Sequence, residues 1–255
     1  MTESTSPNAD DPERAYLDAN VIRGQLTTNI LLTLAEQKVF DPHWSQEVLN
    51  EMRRNRPKKT SEQKIDRRIR AMNTAFPKAM TTGYDHLKPE MRAHDDDKHV
   101  LAAAVRSRCS VLVTENTRHF DPPASGEHGM QVERLSEFLN RKLNEQPDRV
   151  LSGLREMVGQ HKYGPQTLPA LLDTMADQEA LRAFAQRVNG AVKPHERGSN
   201  KALTAGPRGV DPSPTELAQG GVADARDATK QSRGSAHASR QHGSNRSDRD
   251  RGPER

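Results

Sequence analysis

Residues 94–116 read HDDDKHVLAAAVRSRCSVLVTEN. Val100, Leu101, Ala104 and Val105 recur at the helical period, and Asp95, Asp96 and Asp97 stand where the positive end of a helix dipole favours negative charge. A helix therefore opens at the acids. Val111-Leu112-Val113, which follows, is too short for a helix and too apolar for a surface loop, so it reads as a buried strand ending at Thr114. A helix running into a wholly apolar strand belongs to a parallel sheet covered on both faces.

The same alternation appears upstream. Ala15-Tyr16-Leu17-Asp18 is a short apolar run stopped by a carboxylate, and residues 29–35 repeat apolar side chains densely enough for a helix. Residues 44–54 read as a second helix with Trp44, Val48, Leu49 and Met52 on its apolar stripe. Residues 61–76 read as a third, strongly basic helix, with Pro57 and Pro77 as punctuation. Residues 135–189 are helical again, with one stripe through Val150, Leu151, Leu154 and Val158 and another through Leu168, Leu171, Leu172 and Met175.

The expected fold class is α/β: a three-layer α/β/α domain around a central parallel sheet, then a small helical region and a disordered tail. The expected boundaries are a flexible leader over 1–14, the α/β domain over 15–134, the helical region over 135–190 and a basic tail over 191–255. Beyond Lys193 the chain is rich in Gly, Ser, Arg, Asp, Ala and Pro and has no Tyr, Phe or Trp, too little apolar surface to offset ordering entropy. No internal repeat is visible.

With 32% hydrophobic and 4% aromatic residues, the 255 positions cannot all be core. The net charge of +4 suits a polyanionic partner without naming one. Cys109 is the only cysteine, which excludes an intramolecular disulfide and fits a reducing compartment. The leader is polar and acidic, and no stretch reaches the roughly 18 apolar residues that span a bilayer, so the expected location is cytoplasmic.

In open parallel sheets ligands bind outside the carboxyl ends of the strands. Asp18 ends the first apolar run and Asn116 stands just past the second; Asp18 reads either as the cap of the following turn or as a site residue. Glu51, three residues after Val48, lies at the border of an apolar stripe and leans toward the core, whereas Glu47 is turned toward solvent. Glu51 reads either as a functional acid or as the partner of a nearby cation. Asp95, Asp96 and Asp97 include a helix cap, but three adjacent carboxylates repel, each close pair by up to about 4 kcal/mol at 4 Å and an effective dielectric near 20. A divalent cation removes that conflict. Hard oxygen donors suit Mg2+ or Mn2+, and one cysteine with scattered histidines argues against a structural zinc site. The run Arg53, Arg54, Arg56, Lys58, Lys59, Lys64, Arg67, Arg68 and Arg70 favours a phosphate-binding surface over a merely solvated helix face. It lacks aromatic partners for base stacking.

The sequence resembles the PIN-domain nucleases, most closely the VapC-like toxins of bacterial toxin–antitoxin pairs that carry an extra helical C-terminal region. The resemblance covers residues 15–189 and rests on four segments in order: Leu17-Asp18-Ala19-Asn20-Val21, residues 44–55, residues 94–104 and residues 111–116. It implies that Asp18, Glu51 and Asp97 are the family's acids, and that Asn116 replaces a fourth, contributing a carbonyl but no charge. It further implies a Mg2+- or Mn2+-dependent endoribonuclease in which Asp18 and Asp97 hold the principal ion and Glu51 binds a second ion or orients water. Arg53, Arg54, Arg56, Lys58, Lys59 and Arg67 would hold RNA. A toxin of this kind implies a cognate antitoxin protein and, commonly, a homodimer.

Three other readings are weighed. A non-catalytic RNA-binding protein with a degenerate site is motivated by Asn116. An aspartyl-nucleophile phosphatase needs an acid two residues after Asp18, where Asn20 stands; a dinucleotide enzyme needs Gly-x-Gly-x-x-Gly after the first strand, which is absent.

Overall fold

A computed structural model describes residues 11–120, 128–160 and 164–204. The chain builds a five-stranded sheet in the order β3-β2-β1-β4-β5 from β1 (Arg14–Leu17), β2 (Asp41–Ser45), β3 (Met80–Thr81), β4 (Val111–Val113) and β5 (Gln131–Glu133). Every pairing is parallel. β1 and β4 are buried along the sheet centre, as their unbroken apolar runs require.

The α-helices of this domain are α1 (Ala19–Ile22), α2 (Gln25–Glu36), α3 (Gln46–Arg54), α4 (Glu62–Ala75) and α5 (Lys98–Arg106). The helices after β1 and β2 lead the chain outward to β3, and α5 returns it to β4 on the other side of β1. The strand order reverses between β1 and β4. Two loops therefore part at that point, and the carboxyl ends of β1 and β4 open a crevice there.

The strands β2, β3 and β5 were not anticipated from the sequence. β2 reads Asp-Pro-His-Trp-Ser, a poor strand by composition. Its backbone explains how proline is tolerated: Asp41 N–H reaches Glu13 of the β1 side and Trp44 N–H reaches Ala79 of the β3 side. By alternation Pro42 faces the β3 side, where β3 pairs only with Trp44 and Ser45, so the missing N–H interrupts no ladder bond. Trp44 accordingly belongs to β2 and not to the helical stripe; the helix begins at Gln46, capped by Ser45, whose hydroxyl accepts from Val48 N at 3.3 Å. The wholly buried Trp44 ring meets Phe76 edge-on and donates from Nε1 to Asn73 at 2.9 Å, locking α4 to the sheet.

The helical region consists of α6 (Leu135–Glu145), α7 (Pro147–Gln160), α8 (Leu168–Ala176) and α9 (Glu179–Ala191). It shares one hydrophobic core with the α/β domain. Phe138 of α6 packs edge-on against Phe40 with centroids 5.0 Å apart, and Gln146 donates to the Val39 carbonyl at 3.1 Å. Lys142, buried on α6, pairs with Glu13 at 2.7 Å and Glu145 at 2.8 Å, joining the helix to the start of β1. Order extends past the expected boundary at residue 190: a 3-10 turn (Pro194–Glu196) and α10 (Lys201–Thr204) follow, with Leu203 buried. The reason is hydrogen bonding that composition does not reveal, since Asn200 bonds to Asp173 and Asp177. Residues 1–10 of the leader and 205–255 of the tail lie outside the described residues. Among the described residues no helix is long and apolar enough to cross a membrane.

Candidate active site

Asp18 leaves β1 at its carboxyl end. It caps α1: Oδ1 accepts from Ala19 N at 2.5 Å, while Oδ2 accepts from Asn20 Nδ2 and Thr114 Oγ1, each at 2.6 Å. Thr114, fully buried after β4, also accepts from Asn116 N at 3.1 Å. Asn20 closes the bridge between the two strand ends by accepting from Glu115 N at 3.0 Å. Burial pushes the Asp18 carboxyl above its usual range, with Asp97 adding to the push and the bonds from Thr114 and Ala19 opposing it.

Glu51 enters from α3, where Val48, Leu49 and Met52 are buried and fix the helix phase. Its Oε1 lies 2.8 Å from His99 Nε2 and 3.8 Å from the Arg54 guanidinium. Burial first, then the charge of Asp18, raise its carboxyl to about 7; Arg54 opposes, and Asp97 and Glu47 add to the rise. Glu47 is ion-paired with Lys88 at 2.6 Å.

Asp95, Asp96 and Asp97 form a 3-10 turn ahead of α5. Each of the three adjacent acids takes its own partner: Asp95 pairs with Lys98 at 2.7 Å, Asp96 lies 3.8 Å from His94, and Asp97 lies 2.7 Å from His119 Nδ1. Asp97 occupies the N-cap position of α5 but makes no capping bond. Its carboxylate is directed into the site instead.

Asp18, Glu51, Asp97 and Asn116 line one cleft of about 440 Å³, together with Asn20, Arg23, Asn55, His94, Asp96, Glu115 and His119. Four of the sequence-derived residues thus converge from four chain segments at the crevice between β1 and β4. Of the basic residues singled out, Arg54 lines an adjoining hollow with Glu47, Asn50, Glu51, Asp96 and His99. Lys58, Lys59 and Arg67 are exposed without lining the cleft. Arg53 is held by Asp66 at 2.7 Å, Arg56 bonds to the Arg53 carbonyl, and Arg68 to the Arg23 carbonyl and Gln25. Arg23, Asn20, His94, His99 and His119 were passed over in the sequence, although each stands within three residues of a quoted motif or inside one.

The donor set fits a divalent cation. Carboxylates from separate segments share a recess in which burial first, and neighbouring carboxylates second, raise the Asp18 and Glu51 carboxyls, and hard oxygen donors of this kind suit such an ion.

Residues 14–118 match the family model described as PIN domain. Over 110 residues the chain is 34% identical to a Mycobacterium tuberculosis protein whose printed name is "Putative ribonuclease VapC50". That match spans 42% of this chain and 65% of the relative, just short of two thirds of its length. No solved structure matches the chain.

Proposed function

From a domain of the PIN type over residues 14–118, we propose that this chain is a metal-dependent endoribonuclease that hydrolyses RNA phosphodiester bonds, acting as the toxin of a toxin–antitoxin pair. The observation that carries the reading is the convergence of Asp18, Glu51 and Asp97 on one cleft at the strand-order reversal. Asp18 and Asp97, with Glu51 beside them, are the residues that would hold Mg2+ or Mn2+. Such an ion supplies electrostatic stabilisation of the phosphoryl oxygens and makes water a better nucleophile near neutral pH.

The chain's own groups do the rest. Thr114 and Asn20 fix the Asp18 carboxylate, so its orientation needs no reorganisation during reaction. Glu51, whose carboxylate lines the same cleft as Asp18 and Asp97, is placed to orient the attacking water and accept its proton. Water oxygen forms the new bond to phosphorus, the bond to the 3′ oxygen breaks in line, and that oxygen leaves with a proton from solvent. Arg23 and Arg54 at the rim supply positive charge for the RNA backbone, with Lys58, Lys59 and Arg67 extending it.

The test is cleavage of total cellular RNA by purified full-length protein with Mg2+ or Mn2+, beside Asp18→Asn, Asp97→Asn and a chelated control. Wild type is expected to cut, and each variant to lose at least about a hundredfold in rate. RNA binding without cutting under both ions would establish a non-catalytic RNA-binding protein instead. As a toxin, the chain would be inhibited by an antitoxin whose basic side chain enters the acidic cleft.

A further inference from the structure

Two histidines that hydrolysis leaves without a task face Asp97 at the mouth of the cleft. His119 Nδ1 lies 2.7 Å from Asp97 Oδ2, and the His94 and His119 rings lie 5.2 Å apart between centroids, tilted by 32°. One ligand-capable atom from each of His94, Asp97 and His119 falls within 4.8 Å of the others. This grouping is built into the backbone: His94 N donates to the His119 carbonyl at 2.9 Å, Asp97 N donates to the His94 carbonyl at 2.8 Å, and Ala93 and Phe120 form an antiparallel bridge. Met91 and Phe120, both buried, anchor the two segments from below.

We propose that His94, Asp97 and His119 form a binding site for a first-row transition-metal dication, selected over Mg2+ by its two imidazole nitrogens. Donor atoms around an ion held at about 2.1 Å lie at most about 4.2 Å apart, so a small rotation of two rings that are 58% and 44% exposed closes the set. Two histidines and one carboxylate leave open positions for water or a phosphoryl oxygen, whereas Mg2+ prefers an all-oxygen octahedron and keeps its own waters. Binding exchanges the hydrogen bond between Asp97 and His119 for two metal–ligand bonds, and any imidazole proton in the way is released to solvent. The site shares Asp97 with the proposed hydrolytic centre but does not require that the chain cut RNA.

The experiment is titration of untagged, metal-free full-length protein with Co2+, followed by its visible d–d absorption and by calorimetry, and separately with Mg2+. His94→Ala and His119→Ala are compared with wild type. Wild type is expected to bind Co2+ at least about tenfold more tightly than Mg2+, and each variant to lose about tenfold or more in Co2+ affinity, a larger factor than it loses for Mg2+. Co2+ binding unchanged in both variants would overturn the site and leave Asp97 and His119 as a hydrogen-bonded pair. Wild-type affinity for Co2+ no higher than for Mg2+ would overturn it as well. RNA cleavage, measured in parallel, separates the two readings: no cleavage with histidine-dependent Co2+ binding removes only the hydrolytic one, and cleavage with histidine-independent Co2+ binding removes only this one.

Discussion

Asp18 and Glu51 carry protonation equilibria that the folded protein distorts, and the distortion has a sign that can be checked. In the metal-free protein the Glu51 carboxyl is raised from 4.5 to about 7, burial being the largest cause. Between those values the unfolded chain has released the proton while the folded chain keeps it, so the Glu51 contribution to stability is greatest below about 4.5 and is lost as pH rises through about 7. Glu51→Gln removes this slope. Thermal melts of both proteins without metal, from pH 4.5 to 8, are expected to show the variant gaining on wild type as pH rises and levelling off above about 7. A difference that stays flat would mean that the fold does not raise the Glu51 carboxyl. At this scale the sequence was informative because a strand end marked Asp18, a helix phase marked Glu51 and a helix start marked Asp95, Asp96 and Asp97 as candidates, while the choice of Asp97 among those three came from the family resemblance. His119 was not legible, since its meaning depends on Asp97, twenty-two residues away in the chain and 2.7 Å away in space.

At the scale of elements, apolar pattern located β1, β4 and the long helices, and failed where a strand is polar and partly covered. β2 carries Asp41, Pro42 and His43, and is a strand because β1 and β3 offer it backbone partners. β3 and β5, of two and three residues, have too few side chains for any period to show. Packing of α7 on α2 is equally invisible in the sequence, because it turns on a single glycine. A Cβ on Gly153 would meet Gln37 Cγ at 3.1 Å and Leu34 Cδ2 at 3.3 Å. Gly153→Leu is therefore expected to destabilise by about 1–3 kcal/mol through overpacking, read as a lower urea midpoint with an unchanged slope. An unaltered midpoint would show that α7 shifts away from α2 without penalty.

For the molecule as a whole, the helical region is a continuation of the core and not an appendage beside it. Its closure depends on the segment after α9: Gly198 N donates to Asn189 at 2.9 Å, Asn200 bonds to Asp173 and Asp177, and Arg155 pairs with Glu196 at 2.7 Å. A chain ending at residue 192 is expected to melt below one ending at 204, by roughly 4–8 °C for a loss of about 2 kcal/mol. Equal melting temperatures would assign no stability to that segment. The sequence by itself determined the α/β class and the parallel sheet, which follow from local apolar periodicity, and it marked Asp18, Glu51 and the Asp95, Asp96 and Asp97 group as candidates among which the family resemblance chose. Only the tertiary structure decided that Asp96 and Asp97 line the cleft while Asp95 pairs with Lys98, that His94 and His119 lie beside Asp97, and that the helical region closes on the sheet. Those outcomes depend on distances between segments far apart in the chain, which no local period encodes.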